Sequence, residues 1–397
     1  MQSTIKQLME VSMSQNVIYQ KLVLKGTHYD IGKQSGAILC KQNKPYVEWL
    51  TSPLVLPNKT EILELTLEKA EKRCNYLNQI DPGLGDEVRG LADGLQVPLN
   101  HLHKLLLNGM GIEKPCACSV FGIDRCLSDN GHAYIGQSYE YSFEDEFSYI
   151  VEQAEGSYNH MGFSLFHIGR FDGINEKGLC IGITSLDFVN PSIGEKEGLS
   201  FALLVRIMLD TCSTTSEALN KLNSLPICTN ANIIIGDKSG NIVLAEIQTV
   251  DGKSDIIERN LNPYVYGFNH FLGEKHKQRL PQKRYFSYAR EQFLEQYLHD
   301  ITTRNEELTK NDLQRLLTEK IPKGLCCHAY SDYFGTLRSM IYDVTASTVS
   351  IAFGSPQSVE YVSMSLEKEL ESETGCELIE VEYNDEPEDM PFWMFVE

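Results

Sequence analysis

Residue types able to do chemistry gather where a helical stretch of the sequence gives way to a strand-like one. Cys116-Ala117-Cys118-Ser119 stands at that change, directly after Pro115. A cysteine opening the first strand of a hairpin lies at a sheet edge, and removal of the chain before it would expose its thiol to a substrate. The plainer account is a small buried hydrophobe with a weak S–H donor. The second strand of the hairpin carries Gly136-Gln137-Ser138-Tyr139-Glu140-Tyr141. Between the two strands, Asp129-Asn130-Gly131 is a turn signal that brings Glu140 close to Cys118. A carboxylate there is able to hold a cationic amine; its plainer account is a strand-end glutamate facing water.

The elements that must position these residues follow from periodicity. A short strand is expected over Val17 to Leu24, then helices over Thr60 to Ile80, Pro82 to Leu95 and Leu99 to Leu107, with a break at Gln96-Val97-Pro98. Strands follow at Ser119 to Asp124, Ala133 to Tyr139, Phe147 to Gln153, Phe163 to Ile168 and Leu179 to Ser185. Helices are expected at Leu199 to Asp210 and Thr215 to Asn223, and a hairpin at Ala231 to Ile235 and Ile242 to Ile247. Further helices at Arg284 to Leu298 and Asn311 to Leu317 precede a closing hairpin at Ser339 to Val344 and Thr348 to Phe353. Strands grouped apart from helices indicate an α+β layered fold rather than a doubly wound one.

Composition narrows the partners. A formal charge of −20 over 397 residues argues against nucleic-acid backbones and anionic membranes. Met1 to Val17 has no continuous apolar stretch of the secretory kind, and no segment reaches the roughly 20 apolar residues of a spanning helix. Eleven cysteines in irregular spacing do not form a disulfide framework, so reduced thiols in a cytoplasmic protein are expected.

Taken together, the motifs resemble the acyl-CoA:6-aminopenicillanate acyltransferase-like (isopenicillin N acyltransferase-like) cysteine peptidases. These are N-terminal-nucleophile hydrolases related to the choloylglycine hydrolases. Their pattern is Cys-Ser/Thr at the transition, followed by a hairpin ending in Gly-Gln/Arg-Asn-x-Asp; here Cys118-Ser119 and Gly136 to Glu140 stand in that order. Leu24 to Gly32, Arg89 to Gly94, Gly173 to Leu179, Asn232 to Glu246, Asn269-His270-Phe271, Gly335 to Leu337, Ile341 to Asp343 and Gly354 to Pro356 resemble its other marks. The likeness thus runs along nearly the whole chain.

The resemblance implies a four-layer αββα fold and a self-activating precursor. Segment 1–117 would be a helix-rich pro-segment and 118–397 the catalytic core, cut between Ala117 and Cys118 but still associated as one unit. Cys118 would be the nucleophile and its freed α-amine the base, since such an amine titrates near 8. Glu140, in the place of the family's Asp, would orient that amine, and Asn232 would donate to the oxyanion. Gln137 stands where bile-salt hydrolases have Arg, which disfavours bile-salt carboxylates. Asn269 and His270 match the pattern as a pair able to support a loop, and Tyr139 with Tyr141, Phe143 and Phe147 could line an acyl pocket or simply fill the core. The implied substrate is a small amide or acyl compound, an acyl-CoA among the candidates, with no cofactor and no metal. Ala117 for Gly, Glu140 for Asp and Ser138 for Asn depart from the pattern. Three other readings stay open. One is a thiol metal site from Cys116, Cys118, Cys126 and His132, or from Cys326-Cys327-His328, against which the spacings argue. Another pairs Cys118 with His270 or His328 in papain fashion. The third is a non-catalytic scaffold.

Overall fold

Alternating and continuous apolar runs build two sheets, and the amphipathic segments between them supply the layers outside. The computed structural model describes residues 14–55, 62–63, 65–107, 117–143, 145–186, 198–250, 253–278, 283–386 and 395–396. Strand β1 (Ser14–Gly26) leads into helix α1 (His28–Gln42), whose first turn is capped by the Thr27 hydroxyl accepting from the Asp30 amide. Helices α2 (Leu67–Ile80) and α3 (Leu84–Leu95) follow. Strands β2 (Ala117–Ile123) and β3 (Tyr134–Tyr141) form the hairpin, with β4 (Ser148–Ala154), β5 (Cys180–Ser185), helix α4 (Phe201–Thr211) and β6 (Ala231–Gly236) beyond it. The chain continues through α5 (Tyr285–Arg304), α6 (Lys310–Thr318), β7 (Phe334–Asp343) and β8 (Gly375–Asn384).

Among the described residues the two large sheets have ten and seven strands, beside two small two-stranded ones. The larger runs Lys253–Asn260, Ile242–Val250, β6, β5, Gly173–Asn175, His160–Leu165, β4, β1, β8, with Gly169–Arg170 also paired to His160–Leu165; the smaller runs Tyr264–Gly267, β2, β3, β7, Thr348–Phe353, Val362–Met364, with His328–Ala329 also paired to β7. Their inner faces meet in one apolar core that includes Cys118, Val120, Tyr139, Phe163, Ile183 and Phe353. Helices α5 and α6 cover the outer face of the smaller sheet, where Leu294, Leu298 and Leu313 pack on Phe121, Tyr134 and Ile341. Helices α1 and α4 cover the larger sheet, and α3 packs on α1. The result is the αββα sandwich, α+β in class. No helix among the described residues is long and apolar enough to cross a membrane.

Segment 1–117 is woven into this sandwich. Strand β1 pairs in parallel with β4 (Gln20 opposite Ser148) and antiparallel with β8 (Ser14 opposite Asn384), so strands of the later segment flank it on both sides. Its helices α1 and α3 touch through glycines. A Cβ on Gly90 would lie 2.1 Å from the Tyr29 carbonyl oxygen, and one on Gly32 1.9 Å from that of Glu87. Backbone cannot retreat from such contacts cheaply, which explains why the Gly32 and Gly90 motifs carry glycine. Gly90→Ala is expected to cost about 3 kcal/mol in urea unfolding, at the upper end for overpacking.

A charge cluster joins the two segments beneath α4. The Arg206 guanidinium donates to Glu87 Oε1 (3.0 Å) and Oε2 (2.7 Å), to Asp210 Oδ2 (2.6 Å), to the Ile168 carbonyl (3.1 Å) and to Glu152. Arg170 donates to Glu152 Oε2 at 2.6 Å, and His28 meets Glu87 at 2.9 Å. All six are buried. His28, Glu87 and Glu152 converge as metal ligands would, as do Glu152, His160 and Asp210, but Arg206 and Arg170 already bond these carboxylates.

Several sequence expectations shift in register. The helix expected from Thr60 begins at Leu67, because Thr66 caps it by accepting from the Lys69 amide. Phe166 to Ile168, expected as strand, is a turn in which Phe166 and His167 take positive φ values of 60° and 61°. The Ser339–Phe353 hairpin does not close the chain: β8 follows it and completes the larger sheet.

Candidate active site

Antiparallel register sets which face each residue of the hairpin presents. Cys118 lies opposite Tyr139, Val120 opposite Gln137, Ala117 opposite Glu140 and Ser119 opposite Ser138. Side chains alternate along a strand, so Cys118, Tyr139 and Gln137 face the inter-sheet core, whereas Ser119, Ser138 and Glu140 face helix α5. Gln137 confirms its face by donating from Nε2 to the Ile183 carbonyl of the opposite sheet at 3.2 Å. Cys118 is wholly buried in the continuous chain, and Cys116 lies outside the described residues.

Helix α5 brings the residue that the sequence reading missed. Ser287, Arg290, Glu291, Leu294 and Leu298 recur at helical spacing along one stripe; its first turns are polar and its later turns apolar. Arg290 Nη1 donates to the Cys118 carbonyl and to Ser119 Oγ, both at 2.8 Å, and Nη2 donates to Asn269 Oδ1 at 2.8 Å. The same Asn269 oxygen accepts the Cys118 backbone N–H at 3.1 Å, while Asn269 Nδ2 donates to the Ser185 carbonyl at 2.8 Å. The Cys118 N–H and C=O are therefore both held by side chains.

The remaining predicted residues support that arrangement. His270 bridges Ser287 Oγ (Nδ1, 2.7 Å) and Glu291 Oε2 (Nε2, 2.9 Å), and Ser287 Oγ accepts the Asn269 N–H at 3.1 Å. Asn232 Nδ2 donates to the carbonyls of Phe268 (2.8 Å) and His270 (3.4 Å) and to Thr184 Oγ1 (3.2 Å). Its amide thus bonds both the Phe268–His270 turn that presents Asn269 and Thr184 on β5. Tyr139 lies under the Arg338 guanidinium, 3.9 Å from its ring centre, and Arg338 pairs with Asp145 at 2.6 Å. Phe143 stacks on Tyr330 at 4.9 Å and Phe147 packs edge-on to Tyr19 at 5.0 Å, so both serve the core.

Glu140 is fully buried. Arg290 Nη1 stands 3.5 Å from its Oε2, and Thr336 Oγ1 donates to its Oε1 at 3.4 Å. Burial pushes its carboxyl up to about 7, with Arg290, Ser138 and Thr336 pulling against that rise. Of the histidines considered for other chemistry, His132 is bonded to Asp343 at 2.8 Å and His328 to Ser355 and Glu386. Cys126 is exposed, and no disulfide joins the described cysteines.

The layers are those of an αββα sandwich of α+β class, with Cys118 the second residue of β2 and on its inner face. The chain belongs to the acyl-coenzyme A:6-aminopenicillanic acid acyl-transferase family, whose model matches residues 126–358. That stretch contains Glu140, Asn232, Asn269 and Arg290 and begins after Cys118. Among solved structures, the chain is similar to a mutant conjugated bile acid hydrolase from Clostridium perfringens, at 11% identity over 66% of this chain and 96% of that one, with a TM-score of 0.42. It is also similar to a penicillin V acylase from Agrobacterium tumefaciens, at 15% identity over 63% and 87% of the two chains, with a TM-score of 0.36. A third is the Caenorhabditis elegans orthologue of N-acylethanolamine-hydrolyzing acid amidase, at 11% identity over 57% and 93%, with a TM-score of 0.39. No curated protein matches the chain.

Proposed function

We propose that the chain is a self-processing cysteine amidohydrolase or acyltransferase acting on a small N-acyl amide through an acyl-thioester on Cys118. The observation that carries this reading is the grip on the Cys118 backbone, its N–H on Asn269 Oδ1 and its carbonyl on Arg290. A structural cysteine needs no such double hold, whereas a residue whose own peptide nitrogen must become a fixed amine does. In the maturation step the thiol adds to the Ala117 carbonyl, the Cys118 nitrogen leaves as an amine, and water hydrolyses the thioester to free the Ala117 carboxylate. The amine then takes the thiol proton, the thiolate attacks the substrate carbonyl, and the proton passes to the leaving amine. Water, or an amine or thiol acceptor, resolves the acyl-enzyme. Asn269 and Arg290 position the nucleophile in this reading, and Asn232 with His270 holds the turn that carries Asn269.

Intact-mass spectrometry of the purified chain tests the reading. Two fragments meeting at Ala117 and Cys118 are expected, and they should co-elute under native conditions because β1 is flanked on both sides. A single uncut chain, stable on prolonged incubation, would sink the self-processing step.

Glu140 supplies a second check. In the uncut chain its raised value means that the folded state holds its proton more tightly than the unfolded one. Its burial therefore weakens the fold as pH rises from 4.5 to about 7. Glu140→Gln is expected to melt no lower than wild type above that range. Its turnover should nevertheless fall about tenfold to a hundredfold, the worth of a charge-assisted hydrogen bond to the amine. Wild-type turnover would remove Glu140 from the mechanism.

A further inference from the structure

Four residues of the larger sheet stand directly opposite one another across four strands: Thr184 on β5, Asn232 on β6, Glu246 on Ile242–Val250 and Ile257 on Lys253–Asn260. Opposed residues share a face. Here it is the face turned to the smaller sheet, because Gly182, two residues before Thr184, lies against the Gln137 side chain. Segment Phe268–Gly273 crosses this row. It leaves strand Tyr264–Gly267, whose Gly267 pairs with Val120 of β2, and meets the four residues in order. Thr184 Oγ1 donates to the Phe268 carbonyl at 2.6 Å, and the Asn232 amide donates to the carbonyls of Phe268 and His270. Glu246 Oε2 then accepts the N–H groups of Leu272 (3.2 Å) and Gly273 (2.9 Å). A Cβ on Gly273 would stand 3.0 Å from Ile257 Cδ1 and 3.1 Å from Glu246 Oε2, so glycine lets the segment lie close on the row. Donors take its carbonyls and the carboxylate takes its amides.

We propose that Glu246 is a positioning residue for the nucleophile: it fixes the far end of the segment whose near end carries Asn269. This rests on the reading of Cys118 as the nucleophile. In that reading the Cys118 nitrogen becomes the base, and Asn269 Oδ1, which accepts its N–H at 3.1 Å, sets where that nitrogen stands. Asn269 lies between two anchors, with Thr184 and Asn232 on one side and Glu246 on the other. Removing the second anchor frees Leu272 and Gly273 from the sheet and lets the segment pivot on its Asn232 contacts, carrying Asn269 with it. A carboxylate suits the place because it accepts both N–H groups and presents no donor of its own. Glu246 is wholly buried. Arg259 Nη1, 3.4 Å from Oε1, answers its charge, and His276 Nδ1 lies 3.8 Å from Oε2.

The test follows turnover of p-nitrophenyl butyrate by the full-length protein, per mole of cut chain and well below each variant's melting temperature. Glu246→Asp keeps a charge beside Arg259 but withdraws the oxygens from the turn by one methylene; Glu246→Gln keeps the reach and loses the charge. Both are expected to be cut more slowly and, once cut, to lose about tenfold to a hundredfold in kcat with KM unchanged, the scale of a slightly misplaced reacting group. Adding either to Asn269→Ala should cause little further loss, because Glu246 acts through Asn269. Wild-type kcat in a folded Glu246→Asp, or losses that multiply in the double variant, overturns the assignment. Hydrogen exchange on the wild type needs no variant to fold. The Leu272 and Gly273 amides should exchange more slowly than those of exposed Glu274 and Lys275, and equal rates overturn the hold on the segment. If Cys118→Ala turns over the probe at the wild-type rate, the reading of Cys118 fails instead, whatever Glu246 does.

Discussion

Cys118→Ala is expected to yield one uncut chain of 397 residues with no measurable turnover, beside a wild type of two fragments. The size of the effect follows from what the thiol does in both steps. It is the atom that attacks the Ala117 carbonyl and the atom that carries the acyl group; loss of a covalent nucleophile typically removes about a million-fold in kcat. Structure argues that the loss would be chemical. Alanine keeps the strand conformation and the Cys118 N–H and C=O, so the bonds to Asn269 and Arg290 survive. The sulfur leaves only a small void in a core that extends across both sheets, at roughly 1 kcal/mol. Ala117, where the family pattern has Gly, packs its methyl among Phe286, Cys327, Ala329 and Phe334, so the departure is accommodated before cleavage. Cys116→Ala should process and turn over almost as wild type. Equal loss from both cysteine variants, at unchanged melting temperature, would show that the choice between the thiols is mistaken.

The hairpin that carries the candidate nucleophile was legible because its signals are local. An Asp-Asn-Gly turn and two β-rich runs bring Gly136 to Tyr141 beside Cys118 as neighbouring strands, and the pairing of the two strands then sets Cys118 opposite Tyr139. Arg290 was not legible. It sits in Tyr285–Arg304 as an ordinary helix charge, and its partner, the Cys118 carbonyl, is 172 residues away in sequence. A retrospective signal does exist: Ser287, Arg290 and Glu291 continue the stripe of Leu294 and Leu298, so the helix buries polar groups on its core face. Strand β8 escaped for a related reason. Its run of Glu377, Glu380 and Glu382 reads as a solvated segment, and only pairing with β1 from the opposite end of the chain makes it a strand. Phe166 and His167 hide their turn because neither residue type advertises the positive φ that both adopt. Asn232 was placed by its motif in the right neighbourhood. What its amide bonds to depends on the Phe268–His270 turn, which sequence order alone does not orient.

Arg206→Met should be the most destabilising single change in the molecule, costing roughly 3–5 kcal/mol in urea unfolding near neutral pH. That is a large part of the 5–15 kcal/mol typical of a whole domain. The guanidinium answers Glu87, Glu152 and Asp210 at once, and all four side chains are almost completely buried. Methionine fills comparable space but leaves three carboxylates to Arg170, His28 and His160. Burial alone would raise Glu87 and Asp210; Arg206, with His28 at Glu87 and His160 at Asp210, outweighs it and holds both below the usual range. In the wild type this pairing therefore stabilises above the ordinary carboxylate range and is lost as acid protonates the two groups. In the variant burial wins, their values rise, and acidification relieves the unpaired charge. The difference between variant and wild type should shrink from about pH 7 to about pH 5, across the range where a raised carboxyl titrates. Glu87 belongs to segment 1–117, whereas Glu152, Arg206 and Asp210 follow it. If the chain is cut after Ala117, the same substitution should also loosen the hold between fragments, seen as separation at lower urea than wild type. A gap that stays constant across that pH range would mean that lost packing, not the stranded carboxylates, sets the cost.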